Sequence, residues 1–206
     1  MDQGLSEFTE ALASTAPTPG GGGAAALMGA LSASLGAMAA RLSAGKHTDA
    51  ERAQALEALA ENCDKLRARF LEQIEADAAA FLPLSQAYRL PKNDPMREET
   101  LLRASFGACS AAIEMLSLCA RTADALTELR QCASRLMLSD VGCAAAACRA
   151  ALLCAAMNVF VNTRSYSEEP EAAALNRTAE AVLQDSLPKL EEIELQVLLQ
   201  LRNEEI

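Results

Sequence analysis

The sequence predicts an all-α protein, an up-and-down bundle of long, partly kinked helices. Alanine and leucine supply most of a 51% hydrophobic fraction while aromatics are 3% and tryptophan is absent, a composition rich in helix formers and poor in strand formers. Apolar residues recur at three- and four-residue spacings over stretches much longer than a strand. The proline- and glycine-bearing breaks between those stretches are short, which sets successive helices antiparallel. A chain of 206 residues is expected to fold as one such domain over 1–206.

The first helix is expected over Leu5 to Leu12, ended by Ala16-Pro17-Thr18-Pro19, where each proline lacks an N–H and restricts its predecessor. Gly20 to Gly23 opens a second helix, about Gly21 to Ala44. Gly29, Ala33, Gly36 and Ala40 lie on one face of it, a small-residue stripe that a neighbouring helix can approach closely. Asp49 is the N-cap of a third helix running to about Ala87, kinked or stopped early by Pro83. Its apolar stripe reads Leu56, Leu59, Cys63, Leu66, Phe70, Ile74, then position 77, then Phe81. Leu90 to Pro95 is a loop, and Asp94 with Pro95 starts a fourth helix reaching about Gln131. Ser139 and Asp140 start a fifth, alanine-rich helix to about Arg164, and Glu169 to Arg202 forms one kinked helix or two around Pro188.

Charge and composition exclude several function classes. A net charge of −10 disfavours binding to nucleic acid or to an anionic membrane surface, since both require a basic face. The longest apolar run, Ala24 to Ala40, is interrupted by serine and glycine and falls short of the ~20 apolar residues of a bilayer span, so no membrane helix is expected. The N-terminus is acidic and has no apolar core of a secretory signal. Seven cysteines without a CxxC pair read as reduced core residues of a cytoplasmic protein, and with a single histidine, His47, no metal site is expected.

Few residues suggest chemistry. Gly20, Gly21 and Gly22 precede a helix whose N–H groups and dipole favour an anion, although a plain helix-entry turn uses the same residues. Asp77 takes the next buried position of the third helix between Ile74 and Phe81. A carboxylate there needs a structural partner or a cavity, and burial would raise its pKa toward the range useful for proton transfer. Asn158 and Asn162 share a face of the fifth helix that steps back through alanines to Asp140, so that face is polar at both ends and small between. Interhelical hydrogen bonding by the asparagines and first-turn dipole compensation by Asp140 are the alternatives. Lys46 and His47 at the end of the second helix, and Lys92 in the Leu90–Pro95 loop, are capping or solvated residues, or hold an anionic substrate tail.

Four segments together resemble the formiminotetrahydrofolate cyclodeaminase and methenyltetrahydrofolate cyclohydrolase family. They are Pro-Thr-Pro-Gly-Gly-Gly at 17 to 22; Asp77-Ala-Ala-Ala-Phe81 with Leu-Pro-Lys at 90 to 92; Ser-Asp-Val-Gly at 139 to 142; and Asn-Val-Phe-Val-Asn at 158 to 162. Their order and spacing match from about residue 5 to 165. The resemblance implies a helical homodimer with a folate site at the glycine-rich turn, Asp77 as acid/base, and no permanently bound cofactor. It also implies substrate contacts from Gly20, Gly21, Gly22, Ser139, Asp140, Asn158 and Asn162, while charge matching assigns the folate tail to Lys46, Lys92 and Arg164. Two positions depart from the family pattern: Gly23, where serine is common, and Ala133-Ser134, where Gly-Asn is frequent. Cyclodeaminase action is the favoured expectation. Cyclohydrolase action and a non-catalytic folate-binding or scaffold dimer are the alternatives.

Overall fold

A computed structural model describes residues 4–46 and 49–202, so His47 lies outside the described residues. Seven α-helices follow one another: α1 (Leu5–Leu12), α2 (Gly21–Ala44), α3 (Ala50–Ala87), α4 (Arg97–Gly107), α5 (Ser110–Cys132), α6 (Leu138–Thr163) and α7 (Pro170–Arg202), with 3-10 turns at Arg135–Met137 and Arg164–Tyr166. The described residues contain no strand. Asp49 caps α3 as expected, its carboxylate accepting the Glu51 N–H at 3.0 Å.

Two boundaries differ from expectation. The single helix expected between Asp94 and Gln131 starts at Arg97 and breaks after Gly107. At the break the Cys109 N–H donates to Phe106 O at 3.0 Å, a tighter turn than the α-helical bond. The two halves serve different cores: Leu101, Ala104 and Ala108 pack with Leu84 and Ala87 at the end of α3, while Cys109 and the α5 residues enter the main core. Pro83 and Pro188 end neither helix. The ~3 kcal/mol that an interior proline costs is opposed by burial beyond each one, of Leu84 and Ala87 in α3 and of Leu190 and Ile193 in α7.

The helix α2 lies between α3 and α6 with α5 behind it, and α6 lies between α2 and α7. Antiparallel α2 and α6 are tied by the buried Ser32 hydroxyl, which donates to Ala144 O at 2.8 Å. At the far end of the pair the Ser134 N–H donates to Ser43 Oγ at 2.8 Å. The small-residue stripe faces α3 and explains how closely α3 packs on α2. A Cβ on Gly29 would enter the ring of Phe70, and one on Gly36 would stand 3.2 Å from Cys63 Sγ. Gly29→Ala is therefore expected to lower stability by about 1–3 kcal/mol through overpacking, read as a reduced urea midpoint at unchanged slope.

By length and apolarity alone, three stretches, Gly21–Ala44, Arg97–Cys132 and Arg135–Tyr166, could cross a bilayer. That corrects the expectation of none on these two criteria, because serine and glycine interrupt the α2 run without lowering its average enough. Of their apolar windows 61%, 56% and 44% respectively are buried in the bundle, so helix packing already uses much of this surface.

Candidate active site

At the end of the bundle where α2 begins, the 17–22 turn, α3 and the last turns of α6 enclose a cavity of about 180 Å³. Gly20, Gly21, Gly22, Asp77, Asn158 and Asn162 all line it, so six of the residues singled out from the sequence meet in one place. Pro17, Thr18, Phe81, Ala108 and Val161 complete the wall.

Asp77 arrives there because the α3 stripe carries it. Leu56, Leu59, Cys63, Leu66, Phe70 and Ile74 are buried in the core, and the next turn delivers a half-buried carboxylate beneath the start of α2. Burial pushes the Asp77 carboxyl above its ordinary range, and the Gly23 N–H that donates to it pulls it partway back. Gly22 is required for close approach: a Cβ there would fall on the Asp77 carboxylate. No glycine among the described residues has a positive φ, so contact distance, not backbone conformation, fixes this residue type. Gly20, by contrast, has nothing within 4 Å of an added Cβ.

The raised pKa predicts a stability effect of definite sign. The folded state holds the Asp77 proton more tightly than the unfolded chain does. The favourable contribution is complete below the ordinary aspartate pKa and is lost as pH rises through the raised folded value. Asp77→Asn is therefore expected to be at least as stable as wild type at pH 7, with a flatter stability profile across the carboxyl range in urea titrations.

On the opposite wall the Asn158 amide donates to Cys154 O at 2.8 Å and stands 3.4 Å from the Cβ position of Gly21. Asn162 hydrogen-bonds the Cys109 thiol, which burial pushes up to about 11. Asn162 thus bonds a residue outside its own helix, as the sequence reading offered, whereas Asn158 bonds within α6; both face the cavity.

Other expected contacts lie elsewhere in the chain. Asp140 is in the first turn of α6, eighteen residues before Asn158 and so about 27 Å away along the axis; Ser139 precedes it and is exposed. Exposed Lys46 follows the last turn of α2, about 36 Å from Gly21. Within one chain Ser139, Asp140 and Lys46 therefore lie away from the glycine turn, because a shared helix face does not shorten the axial rise. Lys92 is exposed in the loop beyond α3, and only exposed Arg164, two residues past Asn162, sits at the cavity end.

Sequence reasoning did not assign Thr18 or Val161, although both lie inside segments that it singled out. Ala108 carried no signal, since its place depends on the unforeseen break between α4 and α5. A larger groove of about 680 Å³ runs between the end of α3 and α4. Its two charged residues, Arg103 and Glu99, pair with each other at 2.6 Å. The smaller cavity, with its half-buried carboxyl, is the better chemical candidate.

Comparison with known proteins gives concordant results. The family model described as Formiminotransferase-cyclodeaminase matches residues 4–181. A methenyltetrahydrofolate cyclohydrolase of Methylorubrum extorquens is 33% identical over 188 residues, spanning 88% of this chain and 89% of that protein. A formimidoyltransferase-cyclodeaminase of Rattus norvegicus is 25% identical over 190 residues, 90% of this chain but 35% of its own length. The crystal structure of formiminotetrahydrofolate cyclodeaminase from Thermotoga maritima superimposes with a TM-score of 0.81 at 22% identity, covering 96% of this chain and 98% of that one, which establishes the shared helical fold.

Proposed function

The chain belongs to the formiminotransferase-cyclodeaminase family, and from that premise we propose that it acts on one-carbon units carried by tetrahydrofolate, as a cyclodeaminase with Asp77 as acid/base. The observation that carries this reading is the half-buried Asp77 carboxyl of raised pKa in a cavity walled by the glycine turn and two asparagines.

In the cyclodeaminase reaction N10 of 5-formiminotetrahydrofolate, whose formimino nitrogen enters protonated, attacks the formimino carbon, and the Asp77 carboxylate takes the N10 proton. Asp77, now a carboxylic acid, returns the proton to the formimino nitrogen as the carbon–nitrogen bond breaks, leaving ammonia and 5,10-methenyltetrahydrofolate. One carboxyl serves both steps, and its raised pKa brings the two protonation states closer in energy near neutral pH. N10 and the formimino carbon belong to one molecule, so the contribution of the enclosed cavity is to hold the conformer in which the two are in contact.

A second reading, methenyltetrahydrofolate cyclohydrolase, is favoured by the Methylorubrum relative, which matches nearly end to end, whereas the chain spans about a third of the rat protein. Here Asp77 takes a proton from the water that adds to the amidinium carbon. It returns that proton to N5 as the carbon–N5 bond breaks, and the hydroxyl proton leaves to solvent as the carbonyl of 10-formyltetrahydrofolate forms. A cytoplasmic location and a homodimeric state belong to the same proposal; the seven free cysteines support the first.

Methenyltetrahydrofolate absorbance separates the readings. Absorbance that rises from 5-formiminotetrahydrofolate identifies the cyclodeaminase, and enzyme-dependent decay of supplied methenyltetrahydrofolate identifies the cyclohydrolase. Folate binding without conversion of either substrate would leave a non-catalytic dimer and overturn the enzymatic reading.

A further inference from the structure

Helices α5 and α7 wall a second cavity, of about 350 Å³, within the range of pockets that take a small organic molecule. It lies far from Asp77. The α5 wall is formed near the end of that helix, where Arg130 stands 20 residues after Ser110, the first residue of α5, or about 30 Å along the axis. Ser110 itself follows Ala108, which lines the Asp77 cavity, by two residues. The two cavities therefore sit toward opposite ends of α5 and share no residue.

Three charged side chains line this second cavity: Arg130 from α5, and Lys189 and Glu192 from α7. Lys189 is engaged, its Nζ donating to Asp124 Oδ1 and to Asp185 Oδ2 at 2.8 Å each. Arg130 and Glu192 are not. Among the described residues neither forms an ion pair, with the other or with any third residue, although both face the same space. The Arg130 Nε is buried and is the one buried side-chain nitrogen or oxygen without a hydrogen-bond partner among the described residues. A cation in the last turn of α5 suits the helix dipole. The dipole, however, gives the buried Nε–H no acceptor, and a buried donor in a native protein normally has one.

We propose that this cavity binds a free α-amino acid with an uncharged side chain, its carboxylate held by Arg130 on α5 and its ammonium by Glu192 and Gln196 on α7. The guanidinium fork matches a planar carboxylate with two parallel hydrogen bonds. Across the cavity the Gln196 amide nitrogen donates to Glu192 Oε1 at 2.8 Å, which leaves Gln196 Oε1 and Glu192 Oε2 as acceptors. The Thr127 hydroxyl donates to Ala123 O at 2.8 Å, so its oxygen also faces a ligand as an acceptor. An ammonium is donor-only and fits this set. A simple anion would answer Arg130 but meet the like charge of Glu192, and a simple cation would do the reverse. One small molecule carrying both charges satisfies both. With Lys189 already engaged, no free cation remains for an acidic side chain, which sets the neutral class.

Calorimetric titration of the whole chain tests the site without any folate. Glycine, L-alanine, L-serine and L-glutamine are the probes, and at least one is expected to bind saturably at millimolar concentration, one molecule per chain. For the tightest of them, the N-acetyl derivative lacks the ammonium and the amide derivative lacks the carboxylate. Each should bind at least about tenfold more weakly, because each leaves a charge of the cavity unanswered. Saturation by none of the four overturns the proposal. So does an N-acetyl or amide derivative that binds as tightly as its parent, which would mark a plain anion or cation site. Arg130→Lys keeps the charge but loses the fork, and should weaken the amino acid by about tenfold or more. Glu192→Gln keeps an oxygen for Gln196 and should weaken the amino acid while leaving the N-acetyl derivative no weaker. Melting followed by circular dichroism checks that both variants fold. Wild-type affinity in folded Arg130→Lys, or an equal loss for both ligands in Glu192→Gln, overturns the assignment of those residues.

Discussion

Asp77→Asn should reduce kcat by about 10²–10⁴-fold, the usual contribution of a positioned acid/base group, with a much smaller change in KM. Asparagine has nearly the same shape and keeps an oxygen able to accept the Gly23 N–H that Asp77 accepts now, so the cavity should persist while proton transfer is lost. Steady-state kinetics on whichever folate substrate the wild type converts reads the effect. Lost turnover, together with the neutral or raised stability expected at pH 7, would separate a chemical role from a structural one. Asp77→Glu should not restore activity. Its extra methylene would have to fit where Gly22 already abuts the carboxylate.

The next largest effect is expected at Gly22, which lines the cavity and abuts the Asp77 carboxylate. A methyl group on Gly22 would occupy the position of the Asp77 carboxylate, so Gly22→Ala must move either the carboxyl or the start of α2. Displacement by about 1 Å is enough to cost around 10²-fold in rate, and overpacking adds about 1–3 kcal/mol of destabilisation. Gly20→Ala is the comparison two residues away, where an added Cβ meets nothing within 4 Å; it should keep wild-type stability while Gly22→Ala loses it. Equal losses of stability in the two variants would mean that the turn tolerates no side chain in general and that contact with Asp77 is not the reason.

The sequence made the helices legible because their signals are local. Asp49, the four glycines and the stripe from Leu56 to Phe81 each act within a few residues, and the structure follows them closely. The break after Gly107 was not legible, since the chain there leaves one packed cluster for another and neither cluster is visible locally. The continuity of α3 through Pro83 and of α7 through Pro188 was also decided by tertiary burial. At the site, Asp77 could be recognised because a carboxylate interrupts an apolar stripe. Which glycine mattered could not, because the contact between Gly22 and Asp77 joins residues 55 positions apart. Periodicity put Asp140 and Asn158 on one face, but it cannot show that about 27 Å of helix separates them.

The central claim is that a carboxyl of raised pKa at position 77 moves the protons of the reaction. The pH dependence of kcat/KM tests it most directly, because that profile reports the essential acid and base of the free enzyme. Wild type should show a limb whose midpoint lies above the ordinary aspartate value of about 3.9, and the residual activity of Asp77→Asn should lack that limb. The same limb surviving in Asp77→Asn would contradict the claim and assign the proton transfer to another group.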